Sequence, residues 1–161
     1  MLGVFAVLCM VCGTVYSGTN DMEKDPARRT LPMPADTLNI VAFGNSITAE
    51  RKTVDQVFAQ RLPGLLAQEG VNASVINSGI GGSHTGRRSD HDLFKIQHGM
   101  DRFETAVVAH NPDLVVIGFG TNDSYIDSKT PDGPSRIPLD NYRNNLTHFI
   151  TNLQEQGVEI V

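Results

Sequence analysis

Apolar residues in this chain fall into short, β-branched runs, separated by longer stretches in which they recur every three or four positions. Leu38-Asn39-Ile40-Val41-Ala42-Phe43, Ala73-Ser74-Val75-Ile76-Asn77 and Asp113-Leu114-Val115-Val116-Ile117-Gly118-Phe119 are the runs, and each reads as a strand, the first as a buried one. Val158-Glu159-Ile160-Val161 opens a fourth. Between the first two, Val54, Val57, Phe58, Leu62, Leu65 and Leu66 share one helical face, with Pro63-Gly64 expected to kink or divide the helix and Gly70 to end it. Leu93, Ile96, Met100, Phe103 and Val107 mark a second helix, stopped by Asn111-Pro112. After a turn-rich loop holding Pro131-Asp132-Gly133-Pro134, a third helix points Tyr142, Leu146, Phe149, Ile150 and Leu153 inward and ends at Gly157. Strand and helix alternate throughout. The prediction is an α/β fold: a parallel sheet covered by helices on both faces.

Two segments precede the first strand. Residues 2–16 are almost wholly apolar and are followed by Ser17-Gly18, so 1–17 reads as a signal peptide, although no Lys or Arg precedes the apolar core. The run is short for a membrane span, so no stable span is expected after cleavage, and the expected location is secreted or periplasmic. Cys9 and Cys12, both cysteines of the chain, lie inside it, which leaves a mature chain with no disulfide and no cysteine-ligated metal. Residues 18–37, broken by Pro26, Pro32 and Pro34, read as a linker to a single domain over 38–161. The net charge of −5, with Arg28-Arg29 and Arg87-Arg88 as the notable basic pairs, argues against a nucleic-acid partner.

The candidate chemistry lies where the runs end. Gly44-Asn45-Ser46, Gly79-Ile80-Gly81-Gly82 and Gly120-Thr121-Asn122-Asp123 each close one, at the carboxyl ends of parallel strands, where open α/β sheets bind their ligands. Ser46 supplies a nucleophile that needs a base, and an attacked carbonyl needs donors aimed at its developing oxyanion. The Ser46 N–H, an N–H from the glycine turn and the Asn122 amide are the donors at hand. A phosphate-cradling loop fits less well, since the Walker lysine and the full dinucleotide fingerprint are missing. Thr48 stands where the G-x-S-x-G elbow needs its last glycine. His84, Asp90, His91, Asp92 and His98 match no metal-ligand spacing and read as a solvated loop, so no metal or cofactor is expected.

Phe43-Gly44-Asn45-Ser46-Ile47-Thr48, Asn77-Ser78-Gly79-Ile80-Gly81-Gly82-Ser83-His84-Thr85 and Gly118-Phe119-Gly120-Thr121-Asn122-Asp123 resemble, in order and spacing, the first three blocks of the SGNH (GDSL-type) hydrolases. The resemblance covers residues 38–161. It implies a flavodoxin-like three-layer α/β/α fold with strand order 2-1-3-4-5. It implies Ser46 as nucleophile, and an oxyanion hole made of the Ser46 N–H, the Gly82 N–H and the Asn122 side chain. Gly82 is chosen over Gly81 because Ser83-His84-Thr85 follows it, as in the family. Asn45 stands where Asp is common. The family's last block, Asp-x-x-His, supplies acid and base, and no Asp here is followed by His at that spacing. The chain is accordingly expected to be a partial domain, incomplete at its C-terminus before the fifth strand, and nearly inactive by itself.

The expected function is a secreted serine esterase that acts on carbohydrate acyl groups or small esters through a Ser46 acyl-enzyme. Two alternatives use the same residues. One is a non-catalytic binding module that keeps the pocket, and the other is an acyltransferase that delivers the acyl group to a sugar.

Overall fold

The computed structural model describes residues 37–92, 94–128 and 132–161. The expected signal peptide and its two cysteines, the linker up to residue 36, Leu93 and Pro131 lie outside the described residues. Four strands, β1 (Leu38–Gly44), β2 (Ala73–Gly79), β3 (Leu114–Gly118) and β4 (Glu159–Ile160), form one parallel sheet in the order β2-β1-β3-β4. Three α-helices connect them: α1 (Phe58–Gln68), α2 (Gly99–Ala106) and α3 (Leu139–Glu155), with a 3₁₀ turn at Val108–His110.

Period-2 alternation along β1 sorts its side chains between two cores. Val41 and Phe43 join Val115, Phe103, Val107, Phe149 and Leu153 on the face covered by α2 and α3. Leu38 and Ile40 pack with Leu62 and Leu66 of α1 on the other face, while Ala42 meets Val57 and Ala59. Burial on both faces is why β1 reads as a nearly continuous apolar run, whereas β2 and β3 are mostly half-buried. Register places Gly44 opposite both Gly79 and Gly118, so all three glycine-rich motifs leave the sheet at one level.

The sequence pattern misplaced some helical residues. Pro63 does not divide α1, which runs through it. Val54 precedes that helix, and Val54, Phe58 and Leu65 are exposed although their spacing put them on the inward face. The helix begins at Phe58, and the N–H of the preceding Val57 donates to Gln60 Oε1 at 2.9 Å. Likewise α2 starts only at Gly99, after Ile96, with the His98 N–H held by Asp101 Oδ2 at 3.1 Å. Ile96, at helical spacing upstream, belongs to an irregular segment. β2 is two residues longer than its apolar run, because Ser78 and Gly79 pair with Phe43 and Gly44.

Candidate active site

Three backbone and side-chain bonds tie the motifs into one site. Asn45 N–H donates to Gly118 O at 3.1 Å, Ile80 N–H to Gly44 O at 3.1 Å, and Asn122 Nδ2 to Ser83 O at 2.8 Å. Each motif is thereby bonded to the strand end or loop of another. Close approach enforces small residues here: a Cβ on Gly44 would lie 2.6 Å from Gly118 O, and one on Gly79 2.6 Å from the carbonyl carbon of Thr48.

Ser46 sits on a tight turn after β1. Asn45, fully buried, accepts the Ile47 N–H on its own Oδ1 at 2.9 Å, and its carbonyl accepts the N–H groups of Thr48 and Ala49. That Asx-type turn leaves Ser46 exposed at the rim. The Ser46 hydroxyl has no hydrogen-bond partner among the described residues. Gly82 has φ +80°, a conformation that suits glycine, and the Phe94 ring lies against the place a side chain would occupy. Asn122 is half-buried, and one N–H of its amide is used by Ser83 O, leaving the second for a ligand.

Two buried groups that the sequence motifs did not single out shape this site. Asp123 receives the Thr85 N–H (2.8 Å) and the Thr85 hydroxyl on Oδ1 and the Gly120 N–H (3.1 Å) on Oδ2, which locks the third motif onto the loop after Gly82. Asn145 of α3 donates to the same Thr85 hydroxyl at 3.1 Å. Arg102 of α2 reaches the ends of β1 and β2. Burial lowers its guanidinium to about 10, so it is still charged at neutral pH. A cation one position before Phe103 and three after the buried Gly99, on the inward side of α2, was the available sign of it.

The histidines differ from expectation. His84 and His98 are fully buried rather than solvated, stacked with centroids 3.5 Å apart and planes 7° off parallel. His84 Nδ1 accepts the Gly86 N–H at 3.1 Å and His98 Nδ1 accepts the His84 N–H at 3.3 Å, which puts the proton of each neutral ring on Nε2. His84 Nε2 then meets His91 O at 3.1 Å. Burial lowers both pKa values, that of His98 to about 4 with its stacked neighbour contributing. His91 Nε2 lies 2.9 Å from Asp127 Oδ2, and Arg136 holds that carboxylate through two bonds, keeping it below the usual carboxylate range. Arg136 also stacks between Tyr125 (4.3 Å) and Phe94 (5.6 Å). Phe94, Tyr125 and Ile47 are exposed, an apolar rim on the segments that carry Gly82, Asn122 and Ser46. Among the described residues no cluster of His, Cys, Asp or Glu is placed to hold a metal ion, and no helix is long and apolar enough to cross a membrane.

A parallel sheet in this order, with a serine turn, a glycine turn and an Asn-Asp turn joined at its carboxyl edge, defines an SGNH-type hydrolase fold. Residues 42–161 match the GDSL-like lipase/acylhydrolase family, and the chain belongs to it. It is 31% identical over 125 residues to the uncharacterized lipoprotein YqeF of Bacillus subtilis, covering 75% of this chain and 45% of that protein. It is 26% identical over 123 residues to an arylesterase of Vibrio mimicus, covering 76% of this chain and 52% of the relative. The SGNH-hydrolase family esterase AlinE4 shares the fold with a TM-score of 0.60 at 23% identity, over 78% of this chain and 58% of that one. The chain spans about half the length of the two relatives.

Proposed function

We propose that this chain carries the nucleophile and oxyanion donors of a serine esterase exported from the cell. Ser46 Oγ bonds to the ester carbonyl carbon, the C–O bond to the alcohol breaks with the serine proton passing to the departing oxygen, and water then releases the acid and restores the serine hydroxyl. The Ser46 N–H, the Gly82 N–H and the free N–H of the Asn122 amide receive the negative charge that builds on the carbonyl oxygen; such a donor is typically worth about 3 kcal/mol of barrier. The observation that carries this reading is the ring of bonds Asn45–Gly118, Ile80–Gly44 and Asn122–Ser83, which brings the three motifs to one edge of the sheet. The rim of Ile47, Phe94 and Tyr125 favours uncharged esters with an apolar group, in keeping with the arylesterase among the relatives. The apolar residues 2–16 and the lipoprotein relative support export.

Labelling by a fluorophosphonate, located by peptide mass, tests the nucleophile. In the full-length protein, modification is expected at Ser46 and should vanish in Ser46→Ala. Unchanged labelling of that variant would remove Ser46 from the role.

A further inference from the structure

Arg102 is a buried cation with no counter-ion among the described residues. It is 3% exposed, its guanidinium carbon lies 4.6 Å from the centroid of the Phe43 ring, and its Nε is buried without a partner. Its other two nitrogens have unambiguous partners: Nη1 donates to Ser78 O at 2.6 Å and Nη2 to Gly44 O at 2.9 Å. Exchanging water for two neutral carbonyls and an aromatic face is a poor return on stability grounds, because buried cations are ordinarily matched by carboxylates. An aliphatic side chain could fill the same space in the core at lower cost.

What the two bonds do supply is geometry. Gly44 O is the last carbonyl before Asn45-Ser46, and Ser78 O the last before Gly79. Gly44 O also accepts the Ile80 N–H, so one oxygen is shared between the fork of the arginine and the start of the glycine turn. A planar guanidinium presents its donors in fixed directions, which a lysine cannot do.

We propose that Arg102 is a positioning residue: by bridging the ends of β1 and β2 it holds the Ser46 turn and the Gly79–Gly82 turn at the spacing that lets their N–H groups converge on one oxygen. The role of those N–H groups is taken from the function proposed above. Displacements of the order of 1 Å in such a constellation can cost about a hundredfold in rate, so an element remote from substrate acquires a kinetic role.

Arg102→Lys keeps the charge and loses the fork, and Arg102→Gln keeps one donor and loses the charge. Phe103→Leu loosens the same core without touching either carbonyl. In the full chain, three quantities are compared at a temperature where each variant is folded: the thermal midpoint, amide exchange at Ile80, and the rate of Ser46 modification by the fluorophosphonate. Both Arg102 variants are expected to exchange Ile80 at least about tenfold faster and to label at least about tenfold slower. Phe103→Leu should lower the midpoint yet leave both rates within about threefold of the wild type. Wild-type exchange and labelling in a folded Arg102 variant would overturn the proposal, as would equal changes in Phe103→Leu. Should the wild-type full-length protein not label at Ser46, the nucleophile assignment fails, and Ile80 exchange alone decides whether Arg102 bridges the strand ends.

Discussion

Asp123 carries more of the site than its place after Asn122 suggests. Read from sequence, an Asn-Asp pair is an ordinary turn or cap, and nothing local announces that its carboxylate will be 2% exposed and take three donors from two loops. Those partners are 38 residues away for Thr85 and three for Gly120, and only the fold brings the first within reach. Hydrogen bonds to a buried charge are worth about 1.5–3 kcal/mol each, and orphaned donors add a penalty. Asp123→Ala is therefore expected to lower stability by about 3–5 kcal/mol in urea unfolding. Asp123→Asn should cost less, because its amide oxygen still accepts while its NH₂ faces a donor. Gly82→Ala tests a different cost. The φ of +80° penalises any L side chain by about 1–2 kcal/mol. The added methyl would also meet the Phe94 ring 2.7 Å away, although that exposed ring can swing aside. A loss of about 1–2 kcal/mol, with slower phosphonate labelling, is the expected result.

At the scale of elements, the strands were legible and the helix starts were not. Short runs of branched apolar residues, buried in β1 and mostly half-buried in β2 and β3, have the right length for strands and no competing pattern. By contrast, Leu93 and Ile96 fall at helical spacing ahead of Met100, yet Ile96 lies before the helix that opens at Gly99. In that segment Phe94 covers Gly82, and His84 stacks on His98 where the loop meets the start of α2. The stacked pair gives the segment a pH dependence. Folding holds His98 down at about 4, whereas the unfolded chain takes up its proton near 6.5. Between those values the unfolded state binds more protons, so stability falls as pH falls, starting near 6.5 and complete at about 4. The full loss attributable to His98 is about 3 kcal/mol, and His84 adds to it in the same direction. Urea unfolding at several pH values across this window should show the slope. His98→Asn, which still offers an acceptor to the His84 N–H, should flatten most of it; an unchanged slope would assign the dependence to other groups.

Over the whole molecule, the order β2-β1-β3-β4 and the two-sided packing were readable from the alternation of elements together with the family motifs, but the unequal weight of the two cores was not. One face collects Phe43, Phe103, Phe119 and Phe149, with the Phe149 ring 4.8 Å from Phe103 and 5.5 Å from Phe43. That ring joins α3 to α2 and to β1, and a Cβ on Gly99 would sit 3.1 Å from its Cζ, so α2 is seated directly on it. Among the described residues the opposite face has α1 alone, holding Leu38, Ile40 and Leu66. Periodicity marks both Phe149 and Leu66 as inward and cannot rank them, since the ranking depends on partners far off in sequence. Truncating Phe149 to Ala should cost about 3–5 kcal/mol, at the upper end for cores, because three packed elements cannot close the cavity together. Leu66→Ala, at the margin of one helix, should cost about 2–3 kcal/mol. A domain of this size has about 5–15 kcal/mol in total, so both variants are expected to lower the thermal midpoint measurably, Phe149→Ala by more than Leu66→Ala. Removing the whole Phe149 ring takes away the seat of α2, which the milder Phe103→Leu leaves in place; because α2 delivers Arg102 to the strand ends, Phe149→Ala should speed Ile80 exchange even while the chain remains folded, whereas Leu66→Ala should not. Equal effects of the two variants on Ile80 would show that the aromatic core and the site edge are not mechanically joined.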